Sequence, residues 1–570
     1  MPASKRIAGP RLGQILFRRH RDEPAPAWMV FSVIYGFVFL SHLPLLRLPY
    51  FWDEAGYYIP AAWDFFRTGT LIPYSTLTNA HPPLPAIYLA FWWKVSGFVP
   101  AVTRLAICLV ATFGLTAIFV MVRRLMNTSV AAATTLLTAL YPVWFTQSTL
   151  AQADIYAAAG TLWALVYALE ELPSVGQGWI AAFWFSVAAL SKETAIVTPL
   201  ALAGWHVWET HRKPAAASGH WRTAMQFVAP VVPLMAWYAY HFHKTGYMFG
   251  NPQFVRYNAV LTLHILRFIL ALAQRLMQIT IYMNLFVPVL CMVAAMFLPA
   301  LLQRDGTARP RVSWNAQAQI GIILLANVLF FSVMGGALLA RYLLPLYPLI
   351  LLLCVSTWRR RVQQWYWIVA LSALAFVAGL FVNPPYRFAP EDNLTYRSMI
   401  LMQQQGIAKV LHRAPGGTVL TAWPATDELT RPELGYVRRP VPVVAIDDFS
   451  LSQIETATHL PGYDVALVFS TKYQSENTPA WLRFGDAEWN REYFGFHRDL
   501  PPGVIAKLLH GDMIWRAQSR GLWTAVILFN RPQSAALGMG NNRPSRPRPV
   551  SAVCCRQIPC IVHAAFYNHP

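Results

Sequence analysis

Residues 102–124, VTRLAICLVATFGLTAIFVMVRR, decide the fold. The stretch 102–122 is overwhelmingly apolar, and as an α-helix rising about 1.5 Å per residue it reaches about 30 Å, the depth of a bilayer's hydrocarbon core. Two adjacent arginines, Arg123 and Arg124, close it. The same texture recurs along the chain. Apolar runs at 28–47, 129–146, 154–170, 178–190, 195–208, 223–241, 278–302, 317–334, 342–357 and 365–382 join the first to predict eleven membrane-spanning helices. Composition agrees: 56% of the 570 residues are hydrophobic and 13% charged, about half the charge of a soluble domain. The class is a polytopic α-helical membrane protein.

Loop charge orients the helices. Arg18, Arg19 and Arg21 precede the first run, and Arg123 and Arg124 follow the second. Arg212 with Lys213, then Arg304, Arg309 and Arg311, then Arg359, Arg360 and Arg361 fall on the same side if the runs alternate. Short loops rich in Lys and Arg stay in the cytoplasm, so the N-terminal segment 1–27 is expected there, without a cleavable signal peptide. The net charge of +20 is then an orienting charge, not a nucleic-acid footprint. The loop EELPSVGQG (170–178), an inside loop with no Lys or Arg, is the weak point of the pattern.

The outer side receives the long loop 48–101, where PPLPAIYLAFWWKVSGF (82–98) reads as an interfacial amphipathic helix, and 249–276 reads similarly. It also receives everything after residue 382. There the texture changes to short β-rich runs, GGTVLTAW, RRPVPVVAI and YDVALVFS, with SLSQIETA as a helix start and GVIAKLL and LWTAVILF as further elements. Residues 383–531 are expected to form a small periplasmic α/β domain, and 532–570 a disordered tail. Cys108, Cys291 and Cys354 lie in apolar runs, Cys554, Cys555 and Cys560 in the tail, and no disulfide framework is indicated.

The outer side gathers Asp53, Glu54, His81, Asp154, Lys192, Glu193, Lys244, Arg256 and Arg341. Acids and bases converging at one membrane face suit a substrate with an anionic headgroup and a hydroxyl to be deprotonated. Each residue also has a plainer reading. Asp53–Glu54 and Asp154 could cap helices, HPPLP (81–85) could be a rigid turn, Lys192–Glu193 could be a local ion pair, and Arg341 could reach to the interface. His241 and His243 have weak metal spacing.

The order of these pieces carries more than any one of them. FWDEAGYY (51–58) after the first run, HPPLPAIYL (81–89) some thirty residues on, an Asp after the third run, then LSKETA and ARYLLPLYP resemble the GT-C class of membrane glycosyltransferases. The similarity is to the group holding protein O-mannosyltransferases and the lipid A aminoarabinose transferase, and it covers about 28–382. The resemblance implies a GT-C transmembrane catalytic domain at 28–382, with the catalytic motif in outer loop 48–101. It implies a sugar donor on a polyprenyl phosphate, a lipid, glycan or protein acceptor, and a place in the cytoplasmic membrane facing the periplasm. Asp53 would be the general base, with Glu54 holding the loop or assisting and Asp154 in the same catalytic group. His81, Lys192, Lys244, Arg256 and Arg341 would meet the donor phosphate, and displacement would invert the anomeric carbon. No metal or other cofactor is required for this, although a divalent metal stays open. The competing class is a multi-pass transporter or lipid flippase, for which charges in mid-span and matched broken helices are expected. A receptor or scaffold built on 383–531 leaves the acid cluster unexplained.

Overall fold

The helix that opened the reading, Pro100–Leu125, runs unbroken for 26 residues. Proline is in its first turn, where no N–H is needed, and Arg123 and Arg124 sit in its last turn beside the negative end of the helix dipole. The computed structural model describes residues 26–252, 264–334, 336–460, 462–473, 487–494 and 498–529. The expectations for segment 1–27 up to residue 25, for Arg18, Arg19, Arg21 and Arg256, and for the tail 532–570 lie outside the described residues. Numbered within the described residues, the helices of the membrane region begin with α1 (Ala27–His42), α2 (Ile59–Thr68), α3 (Leu84–Ser96), α4 (Pro100–Leu125), α5 (Thr128–Leu140) and α6 (Pro142–Gln147). They continue with α7 (Ala153–Ala168), α8 (Val175–Ala189), α9 (Val197–Arg212), α10 (Ala217–Val228) and α11 (Val231–Thr245). After these come α12 (Ile265–Thr280), α13 (Phe286–Met296), α14 (Trp314–Val333), α15 (Tyr347–Arg361) and α16 (Trp365–Phe381).

Five described stretches are long and apolar enough to cross a membrane: Ala27–Leu45, Pro100–Leu125, Ile265–Asn284, Trp314–Val333 and Ala340–Arg361. Shorter apolar helices pack among them. α7 and α8 approach closely, and a Cβ on Gly160 would lie 3.0 Å from the Ala188 backbone nitrogen. Small residues at such crossings let helices gain dispersion contacts where lipid supplies no hydrophobic drive.

Three runs read as single spans are broken. The run 223–241 is divided at Ala229 and Pro230, between α10 and α11. At 129–146 the chain divides at Tyr141, whose ψ of 125° is the extended value forced on a residue before proline, here Pro142. At 278–302 a helix already begun at Ile265 ends at Thr280, and the chain turns through Met283 and Asn284 at φ 49° and 66° before α13. Neighbours satisfy this turn. The Met283 N–H donates to the Tyr386 hydroxyl at 2.8 Å, and the Asn284 amide donates to the Ala375 carbonyl at 2.7 Å.

The basic loops meet at one end of the bundle. Arg124 donates to the Val166 carbonyl, Arg222 to Pro173, and Lys213 pairs with Glu171 and Glu209. The base of α14 joins through Gln319, which donates to the Glu170 carbonyl, while Arg309 donates to the Arg359 carbonyl and Arg360 to the Arg309 carbonyl. EELPSVGQG is thus accompanied by cations from neighbouring loops. At the other end lie the starts of α4, α7, α9 and α15. The 13-residue α3 also lies here, too short to cross.

The chain leaves this end into α17 (Thr395–Arg413) and a five-stranded sheet in the order β2-β1-β3-β5-β4. Strands β1 (Val419–Ala422), β2 (Val443–Ile446) and β3 (Val465–Phe469) are parallel. β4 (Asp512–Ser519) and β5 (Leu522–Leu528) add antiparallel on the β3 side. Between β1 and β2 lies α18 (Ala425–Thr430), and between β2 and β3 lies α19 (Leu451–Thr458). The core of this sheet is continuous with Leu48 and Phe51 of the first outer loop.

Candidate active site

The first outer loop is held before it delivers any chemistry. Trp52 has φ 50°, a left-handed backbone that a bulky residue adopts only where its surroundings impose it. Asp53 and Glu54 follow, opening a π-helical turn, Glu54–Tyr58, that leads into α2. Such turns are rare and cluster at functional sites. The two carboxylates then diverge.

Glu54 is fully buried. It takes both Arg104 guanidinium nitrogens, at 2.5 and 2.9 Å, and the N–H groups of Phe51 at 3.0 Å and Ala151 at 2.5 Å. Arg104 also donates to the Pro49 and Thr149 carbonyls. One buried pair thereby ties together the first loop, α4 and the turn before α7.

Asp53 makes no helix-capping hydrogen bond. Its Oδ2 accepts from the Arg341 guanidinium. Arg341 lies in the 3₁₀ segment Ala340–Leu346 that precedes α15, and it also holds Glu391 and contacts Asp154 at 3.2 Å. Asp154, in the first turn of α7, accepts from Lys192 at 2.6 Å. Five charged groups from five segments therefore meet: Asp53, Asp154, Lys192, Arg341 and Glu391. Their side chains are 3% exposed for Asp154 and Arg341, 4% for Glu391 and 8% for Lys192, against 33% for Asp53. The base candidate is the member that solvent or substrate reaches.

Glu391 was not singled out from sequence. It belongs to the 3₁₀ turn Pro390–Asp392 beyond α16, and its neighbour Asp392 accepts from Tyr282 at 2.7 Å. Burial pushes the Glu391 carboxyl up to about 8; Arg341 opposes that shift and Asp53, Asp392 and Asp154 reinforce it. Burial also raises Asp392, to about 6, against the Tyr282 hydrogen bond.

A second missed residue is Arg275 of α12. It is buried, donates at 2.8 Å to both the Leu339 carbonyl and Gln278, and lies 5.7 Å from the centre of the Tyr342 ring. Lys192 at 3.9 Å and Arg341 at 5.8 Å face the same ring. One tyrosine thus gathers three cations, each attracted by the ring quadrupole. Asp154, Lys192, Arg341 and Tyr342 also line a small cavity of about 20 Å³.

The remaining candidates are placed differently. His81 pairs through Nδ1 with Glu193 at 2.9 Å and stacks on Tyr58. Lys192 and Glu193, adjacent in sequence, therefore serve different partners. Lys244 is exposed at the end of α11, 6.0 Å over the Tyr240 ring, outside the cluster. Both ring nitrogens of His241 are engaged, by Thr78 and the Tyr247 carbonyl. Among the described residues no group of three or more His, Cys, Asp or Glu side chains is arranged to hold a metal ion.

Residues 80–237 match the family model of dolichyl-phosphate-mannose-protein mannosyltransferase. That segment contains His81, Asp154 and Lys192 but neither Asp53 nor Arg341. Among solved structures, ArnT from Cupriavidus metallidurans in the apo state aligns at 15% identity and a TM-score of 0.50, over 88% of this chain and 97% of that one. The same protein bound to undecaprenyl phosphate gives 15% identity and a TM-score of 0.51, over 88% and 98%. This is the GT-C glycosyltransferase fold. The GT-C resemblance drawn from FWDEAGYY and HPPLPAIYL therefore stands, and the chain is a multi-pass membrane protein. The Archaeoglobus fulgidus oligosaccharyltransferase in complex with Zn and sulfate also aligns, at 10% identity and a TM-score of 0.43, over 77% of this chain and 67% of that one. No curated protein matches the sequence.

Proposed function

We propose that this GT-C chain transfers a sugar from a polyprenyl-phosphate donor to a hydroxyl on a lipid, glycan or protein acceptor at the outer face of the cytoplasmic membrane. The basic end of the bundle faces the cytoplasm in this reading, and the sheet domain faces the periplasm. The observation that carries it is the exposure of Asp53 within an otherwise buried cluster. One of its oxygens is held by Arg341, and no hydrogen bond to the other is seen among the described residues.

The chemistry follows from the charges. The acceptor hydroxyl attacks the anomeric carbon, its proton passes to Asp53, and the bond from that carbon to the phosphate oxygen breaks with inversion. The lipid phosphate leaves with the electron pair. Lys192, Arg275 and Arg341 stabilise the charge it gains, and a positioned carboxylate base contributes about 10²–10⁴-fold. Arg341 is already shared by three carboxylates. A phosphate arriving there competes with Asp53 for the guanidinium and frees the carboxylate to face the acceptor. Glu391, already largely neutral below its raised value, adds little negative charge against the arriving anion. Glu54, saturated by Arg104 and two N–H groups, holds the loop.

A transporter built on the same helices places its ionisable groups in mid-span. Here Asp53, Asp154, Lys192, Arg341 and Glu391 meet at one end of the bundle. The test is an assay with purified protein and a polyprenyl-phosphate sugar, following release of polyprenyl phosphate and labelling of candidate acceptors. Release that depends on the protein and on an acceptor supports the proposal. Donor translocation across a vesicle without release contradicts it.

A further inference from the structure

We propose that the C-terminal domain is part of the catalytic unit, with Trp423 as a positioning residue that holds the loop carrying Asp53. This rests on the reading of Asp53 as the base. Trp423 follows β1, and its indole N–H donates to Asp427 of α18 at 3.1 Å. Asp427 pairs with Arg431 at 3.3 Å, and Arg431 donates to the Ser75 carbonyl at 2.9 Å. The indole is therefore fixed from one edge, and its fixing reaches back to the first outer loop.

The ring packs on the π-helical turn. A Cβ on Gly56 would lie 2.7 Å from Trp423 Cζ2 and 2.8 Å from its Nε1, so only glycine allows this approach. The Gly of FWDEAGYY is thus explained by a residue more than three hundred positions away, outside the family-matched segment. Trp423 also meets Trp52 edge-on, with ring centres 5.0 Å apart and planes at 74°. Trp52 is the left-handed residue directly before Asp53. Two further bonds join the same elements: the Tyr50 N–H donates to the Leu434 carbonyl at 3.3 Å, and the Tyr436 hydroxyl to the Tyr50 carbonyl at 3.0 Å. The loop is gripped from the bundle by Arg104 on Glu54 and from the sheet domain by Trp423 on Trp52 and Gly56. Between the two grips stands Asp53.

The experiment uses the full chain in nanodiscs, with Trp423→Ala, Trp423→Phe, Gly56→Ala and the Gly56→Ala/Trp423→Ala double variant. A misplaced reacting group loses rate without losing substrate, by factors that reach 10² for a shift of about 1 Å. Trp423→Ala is expected to lower kcat roughly tenfold or more while the donor KM changes by less than about threefold, and Trp423→Phe to recover most of the rate. Gly56→Ala is expected to lower kcat strongly when Trp423 is present and to add little in the Trp423→Ala background, because residues in contact are not additive. Unchanged kcat in folded Trp423→Ala, or losses that multiply in the double variant, would overturn the inference. If Trp423→Ala does not fold, the rate of Gly56→Ala against wild type decides, and an unchanged kcat there overturns it too. An inactive Asp53→Asn beside a fully active Trp423→Ala removes this inference alone. An active Asp53→Asn removes the base reading on which it rests.

Discussion

Two acidic pairs stand at the same end of this bundle, each just beyond an apolar run: Asp53–Glu54 after α1 and Glu391–Asp392 after α16. In both, the first acid goes to Arg341 and the second is tied down elsewhere, Glu54 by Arg104 and Asp392 by Tyr282. They differ in access. Asp53 is one-third exposed, whereas Glu391 is enclosed and its carboxyl is pushed towards the neutral form. The same pattern of residues thus yields a charged group open to a reactant in one loop and a proton reserve behind it in the other.

The comparison breaks most violently at Arg104. Arg104→Met leaves Glu54 buried without its cation, and removing one partner of a buried pair costs about 3–5 kcal/mol. A sharp drop in Tm and in recovered protein is expected. A Tm within a few degrees of wild type would show that the loop does not depend on this pair.

Arg341→Met comes next. It removes the shared cation, so turnover should fall roughly 10²-fold or more and more donor should be needed, because the phosphate is met in the ground state as well as in the transition state. A kcat loss with an unchanged donor KM would move Arg341 out of the phosphate site.

Glu391→Gln should cost less, within about tenfold of wild-type turnover, because the wild-type group is already largely neutral below its raised value. Its clearer mark is on stability. Folding raises this group from its ordinary 4.5 to about 8, so between those values the folded chain holds a proton that the unfolded chain has released. Stability therefore falls as pH rises through that window and levels off above it. Tm measured from pH 5 to 8.5 should decline more in wild type than in Glu391→Gln. Parallel curves would mean that Glu391 ionises normally. The smallest effect is expected for Asp392→Asn, which keeps the acceptor for Tyr282 and should cost about 1 kcal/mol with near-normal turnover.

Much of this was legible without coordinates. Apolar length announced the helices, and the basic runs of 123–124, 212–213 and 359–361 collected the loops at one end. Asp53, Asp154, Lys192 and Arg341 were visible as ionisable residues at run ends, and the structure brings those four together. Their partners were harder to see, because ion pairing is a long-range property of the fold. Arg104 lies fifty positions from Glu54, inside a run whose length had already been assigned to lipid. Arg275 sits in a stretch whose amphipathicity reads as an interfacial helix, and only the contacts with Leu339 and Tyr342 turn it towards the site. A signal for Glu391 was present: APED follows an apolar run as FWDE does. Lys244 counted as a cation at the right end, but at that turn His241 takes the inward position and Lys244 the outward one. β4 was missed because its outer side is uncovered and its apolar residues do not alternate cleanly.

The central claim is that Asp53, alone among the five clustered groups, takes the proton of the acceptor. Asn caps a helix about as well as Asp and has nearly the same size, but it cannot take the proton. Asp53→Asn should therefore insert, fold and bind the donor, while single-turnover transfer at saturating polyprenyl-phosphate sugar falls roughly 10²-fold or more. Transfer within a few-fold of wild type would contradict the account and leave Asp53 as nothing more than a partner for Arg341.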